Sequence, residues 1–160
     1  MRLRGALAVW LVLGSSGVLA DPGGCQQYTG PFTSALVPPP GCTSPIGVCT
    51  IGQLMGKVSG LYEFEMLTLT CGPDLDDPCT YTGVSTVTTD KGIVETLDTG
   101  VLTFVPFAPT PFTTTAEFVD DTGTRRYRNA DGAFVASGEI DFGTGAASGE
   151  YSLEICHGGA

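Results

Sequence analysis

Beyond residue 20 the chain has no apolar run long enough to cross a bilayer as a helix, which takes about 20 residues. No membrane anchor is therefore expected. Histidine is nearly missing: His157 stands alone, in a Gly-rich tail, and a Ser-His-acid triad would have to rely on it. Neither Gly-x-Ser-x-Gly nor Cys-x-x-Cys occurs. That removes the usual hydrolase elbow and the usual thiolate spacing for a metal, so no metal and no other cofactor is expected. Helical stripes of apolar residues are lacking as well. Positive charge is scarcest of all. Setting aside Arg2 and Arg4, five of the seven basic residues face 17 acidic ones, a net charge of −12. Such a surface repels phosphate backbones and anionic lipid head groups, so nucleic acid is not an expected partner.

The first twenty residues stand apart. Arg2 and Arg4 form a basic start, residues 7–13 an apolar stretch, and Val18-Leu19-Ala20 a small-residue cleavage site before Asp21. This is the layout of a secretory signal peptide over residues 1–20. It predicts a secreted or periplasmic protein. Pro22-Gly23-Gly24 before Cys25 does not match an apolar lipid-attachment pattern. The rest of the chain suits one domain with one core.

All six cysteines, Cys25, Cys42, Cys49, Cys71, Cys79 and Cys156, follow that segment. In an oxidising compartment an even count reads as three disulfides, with fifteen pairings possible. Spacing favours Cys42–Cys49 and Cys71–Cys79, which leaves Cys25–Cys156. In the chain-entropy view each short loop contributes roughly 2–3 kcal/mol and the long one about 5.

Residues 21–44 are rich in proline, with Pro22, Pro31 and the triplet Pro38-Pro39-Pro40. They predict a stiff, irregular N-terminal arm that could add a strand near residues 32–37. From 45 to 157 the chain reads as strands separated by Gly and Pro, rich in Thr, Val, Ile, Phe and Tyr. Expected strands cover 48–58, 61–70, 80–89, 93–104, 112–119, 133–142 and 149–156. Alternation supports them. Tyr62, Phe64 and Met66 share one face, as do Phe134, Ala136, Ile140 and Phe142, and Tyr151, Leu153 and Ile155. The fold class is all-β, and a closed antiparallel barrel would hide its edges.

Gly41-Cys42-Thr43-Ser44-Pro45-Ile46-Gly47-Val48-Cys49-Thr50, followed by Gly60-Leu61-Tyr62-Glu63-Phe64, resembles the opening of secreted bacterial proteins of the allene oxide cyclase and dirigent-like barrel superfamily. The stretch from Thr122 to Gly132 is similar to that superfamily's Gly-Gly-Thr-Gly-x-Phe-x-x-Ala-x-Gly segment, with Thr122 and Arg125 where glycines are expected. Ala136-Ser137-Gly138-Glu139-Ile140-Asp141 and the closing run to Cys156 also fit. The resemblance implies a single eight-stranded antiparallel, calycin-like barrel with a central cavity. Members include cyclases of fatty-acid epoxides and guides of phenoxy-radical coupling. The residues that carry those activities do not map onto this chain, so the resemblance implies fold and leaves mechanism open.

Three clusters invite chemistry. Glu63 and Glu65 share one strand face. Were that face to line a cavity, a desolvated carboxylate could serve as general acid or base; the better core stripe is Tyr62, Phe64 and Met66, which turns the glutamates to solvent. Leu67 and Leu69 continue the glutamate face, so this strand is expected to change environment midway. Arg125, Arg126 and Arg128 could bind an acidic ligand. The competing reading makes residues 122–132 a turn, with Tyr127 and Ala130 plugging one barrel end and the arginines paired to Asp120, Asp121 and Asp131. Asp74, Asp76 and Asp77 supply too few oxygens for calcium and read as a solvated loop. The leading expectation is a disulfide-stapled barrel that takes a small apolar or amphipathic ligand without turnover. A cyclase or isomerase with a cavity carboxylate, and an interaction module with a filled barrel, are the alternatives.

Overall fold

A computed structural model describes residues 24–74 and 77–157; the expected signal segment, residues 21–23 of the arm, and Asp76 lie outside them. Eight strands follow one another: β1 (Cys25–Leu36), β2 (Cys49–Leu54), β3 (Gly60–Cys71), β4 (Cys79–Thr89), β5 (Gly92–Leu102), β6 (Thr110–Phe118), β7 (Ala130–Asp141) and β8 (Ala146–His157). Each pairs antiparallel with its sequence neighbours, and β1 pairs with β8, so the sheet closes into the expected barrel. The β1–β2, β3–β4, β5–β6 and β7–β8 connections lie at one end. The remaining three lie at the other, together with the start of β1 and the finish of β8.

One correction concerns the arm. Residues 25–36 are not irregular and do not stand outside the barrel; they are its first strand, paired with β8 from Cys25 to Ala35. Pro31 misled the reading, because proline lacks the ladder donor. Here the Pro31 carbonyl accepts from Met55 N–H at 2.9 Å. Its nitrogen points to that same side, one position before the β1–β2 ladder begins at Phe32 and Leu54. No hydrogen bond to β8 is lost. The strand expected over 48–58 likewise stops at Leu54.

The face change in β3 is a bulge. Register shifts between Met66 and Thr68, so the inward series passes from Tyr62, Phe64 and Met66 to Leu69, which packs on the inner cluster of Met66, Cys79, Tyr81 and Leu102. One extra residue, Leu67, absorbs the phase difference. All three expected disulfides are present: Cys25–Cys156, Cys42–Cys49 and Cys71–Cys79. The first joins residues directly opposite in β1 and β8.

The end holding the chain termini of the barrel is closed. Tyr127, on the short 3-10 turn Arg125–Tyr127, is buried to 4 % exposure among Leu54, Val58, Val94 and Ile155 of one apolar cluster, and Ala130 packs against it. The Tyr151 hydroxyl donates to the Val58 carbonyl at 2.6 Å and pins the β2–β3 turn. The expected plug is thus in place. Arg125 takes φ +51 where the likeness called for glycine, so the turn stays tight without one.

Candidate functional site

At the opposite end the barrel is open. Beneath it lies a cavity of about 60 Å³, walled by Phe32, Tyr62, Phe64, Phe112 and Phe134 among others. Alternation puts them there: each is an inward position on its strand. The rings meet one another, Phe32 with Phe112 at 6.1 Å and Tyr62 stacked on Phe134 at 6.1 Å. Ser34, Thr50 and Thr114 add hydroxyls to the wall. A water needs only about 10–15 Å³ and a cavity that takes benzene about 150 Å³, so the space takes a short group or the edge of a ring and not a long acyl chain.

The rim is apolar. Ile46, Phe104, Val105 and Phe142 are exposed, and Phe107 is fully so at 109 %. Phe104 and Phe142 stand with ring centroids 5.5 Å apart. Residues 103–109 carry no charge at all. Exposed aromatics gathered at a cavity mouth differ from singly scattered apolar residues, which need no explanation.

Beside the cavity wall is a polar knot. Asp98 on β5 is 2 % exposed. It accepts from Thr96 Oγ1 at 2.6 Å and from Ser85 Oγ, and Ser85 Oγ is 3.3 Å from the Tyr62 hydroxyl. Burial pushes the Asp98 carboxyl up, against the two hydroxyl donors that pull it down. Burial, then the Asp98 charge, raises Tyr62. Tyr81 is pushed up to about 12, chiefly by burial, with a Thr114 hydrogen bond opposing and Asp98 adding. The Tyr81 ring fills the space where a Cβ on Gly100 would stand, so only glycine fits there. Asp98 does not itself line the cavity; Ser85 links it to Tyr62, which does.

The residues singled out from sequence lie elsewhere. Glu63 is exposed and Glu65 half-buried on the outer face, where Glu65 accepts from Thr43 Oγ1 at 2.9 Å. Neither lines the cavity, so a cavity-acid role for them is set aside. Arg125, Arg126 and Arg128 are exposed at the closed end, far from the mouth. Arg125 Nη1 donates to the Asp90 carbonyl at 3.5 Å and not to a carboxylate. Asp77 caps its own loop, accepting from Asp74 N–H at 3.2 Å. Cys25, Glu154 and Cys156 converge, but both sulfurs are spent on the disulfide.

Sequence reasoning missed Asp98. On β5, Val94, Thr96, Asp98 and Leu102 face in, while Ile93, Glu95, Leu97 and Val101 face out or lie partly covered. Apolar content favours neither face, and Leu97 is 57 % exposed. The usable signal was Gly83 and Gly100 on adjacent inward positions, which mark room for large neighbours. Comparison with family models, with curated proteins and with solved structures finds nothing that matches this chain.

Proposed function

We propose that this chain is a secreted or periplasmic, disulfide-stapled barrel of the allene oxide cyclase and dirigent-like superfamily that binds a small apolar or amphipathic ligand at its open end, without turnover. One observation carries the reading: a ring-walled cavity of about 60 Å³ sits directly under a rim of exposed phenylalanines. Small barrels hold one small ligand in this way. The wall hydroxyls of Ser34, Thr50 and Thr114 suit one polar group on an otherwise apolar body.

The cyclase or isomerase alternative draws on Asp98, a buried acid near the cavity. Against it, both carboxylate oxygens already accept hydrogen bonds, and Asp98 is not among the residues that line the space. Native mass spectrometry of protein purified from its own host, looking for a co-purifying small molecule, tests the binder directly. A titration with p-cresol, a ring with one hydroxyl, complements it. Saturable binding that Ala147→Phe abolishes by filling the cavity is the expected result. No co-purifying molecule, together with p-cresol binding unchanged by Ala147→Phe, would sink the reading.

A further inference from the structure

Every lysine and arginine among the described residues stands on a turn of the closed end: Lys57, Lys91, Arg125, Arg126 and Arg128. In a chain with 17 acidic residues, scattered cations would each find acidic neighbours. Gathered on three turns, they repel one another. The turns cannot spread to relieve this. Thr124 N–H donates to Ile93 O at 3.0 Å, Ile93 N–H to Thr124 Oγ1 at 3.0 Å, and Arg126 N–H to Lys91 O at 3.1 Å. Arg125 is held at φ +51, a region that costs a non-glycine residue energy.

Between the β2–β3 and β4–β5 turns lies a second cavity, of about 170 Å³. Lys57 and Lys91 line it, Ser59 and Thr89 add hydroxyls, and buried Tyr127 forms part of its wall. Its chemistry is the reverse of the apolar cavity at the other end. We propose that it is a binding site for a small tetrahedral dianion, a phosphate or the head group of a phosphomonoester, held between Lys57 and Lys91. Two ammonium groups are compact point charges with freely turning donors and suit a tetrahedral oxyanion, whereas a planar carboxylate calls for the arginine fork. The three arginines stand nearby and add field at the mouth. Asp90 also lines the cavity, and Asp120 and Asp121 lie on the same end. These carboxylates turn away a long polyanion, whose further charges would lie against them, and leave a small anion that enters between the lysines.

Titration of the isotope-labelled protein with inorganic phosphate, followed by amide NMR at constant ionic strength, tests the site. Amides of residues 57–59, 89–91 and 124–128 should shift and saturate. Sodium chloride at matched ionic strength should leave them in place. Lys57→Gln with Lys91→Gln, both exposed side chains, should weaken phosphate roughly tenfold, the effect of removing two screened ion contacts, with an unchanged urea melt. Glycerol 3-phosphate distinguishes the sources: tighter binding than phosphate points to a phosphomonoester, equal binding to the free ion. The proposal is overturned if phosphate moves none of these amides, if chloride moves them equally, or if the double variant binds as well as the parent.

Discussion

The two ends of this barrel begin from the same alternating strands and are finished in opposite ways. At the closed end one ring, Tyr127, is driven into the lumen, and every lysine and arginine among the described residues sits outside it on hydrogen-bonded turns. At the open end the loops carry no basic residue; Cys42–Cys49 and Cys71–Cys79 brace the β1–β2 and β3–β4 connections, while the exposed Phe104, Phe107 and Phe142 stand on the β5–β6 and β7–β8 connections. Burial and the Cys25–Cys156 bond hold the first end together. The second leaves its aromatics in water above an unfilled space. The two ends thus differ in what fills the lumen, a buried ring at one and a cavity at the other.

The largest effect expected from breaking this contrast is covalent. Replacing Cys25 and Cys156 by Ser should cost about 5 kcal/mol, while the same change at Cys42 and Cys49 should cost roughly 2–3, in the chain-entropy model. Urea melts of the two variants would order them, and equal losses would remove the distinction. Next comes the plug. Tyr127→Ala should cost about 3–5 kcal/mol through lost burial and a residual cavity. Replacing Arg125, Arg126 and Arg128 together with Gln should cost about 1 kcal/mol or less, as exposed charges do. A triple variant less stable than Tyr127→Ala would show that the charges, not the ring, close this end.

A third test addresses the Asp98 knot. The Asp98 carboxyl is raised in the fold, against about 3.9 unfolded. The folded state therefore holds this proton more tightly. Its contribution is fully present below about pH 3.9 and is lost as pH rises through the raised native value. Urea melts of Asp98→Asn and the parent across pH should show the parent losing ground to the variant as pH climbs above about 4. A flat difference would mean the carboxyl is not desolvated. The smallest effect belongs to the open end and the outer face. Phe107→Ser and Glu63→Gln should each move stability by less than about 0.5 kcal/mol. Phe107→Ser should nonetheless weaken p-cresol uptake, since Phe107 belongs to the rim.

Much of the barrel was legible in the sequence because its signals are local. Tyr62, Phe64 and Met66 announce a strand face by themselves, and Cys71 and Cys79 stand close enough to name each other. β1 was not legible, because whether Pro31 harms a ladder depends on where the neighbouring strand stops. The site was legible only as an expectation that some cavity exists. Asp98 looks like one more acid of a soluble surface until β4 and β6 are seen to cover it. Lys57, Lys91 and Arg126 are far apart along the chain, and only the up-and-down topology brings their turns to one end.

The Cys25–Cys156 bond has a mechanical consequence. It couples the first strand to the last, directly opposite each other, across a sequence separation of 131. A pull applied at Gly24 and His157 would otherwise peel β1 from β8 one pair at a time, starting at that very point. With the bond in place the tension runs through two sulfur atoms and bypasses everything between. The barrel rides on the line of force without bearing it, and its strands stay hidden length that stretching cannot release until that one bond is reduced.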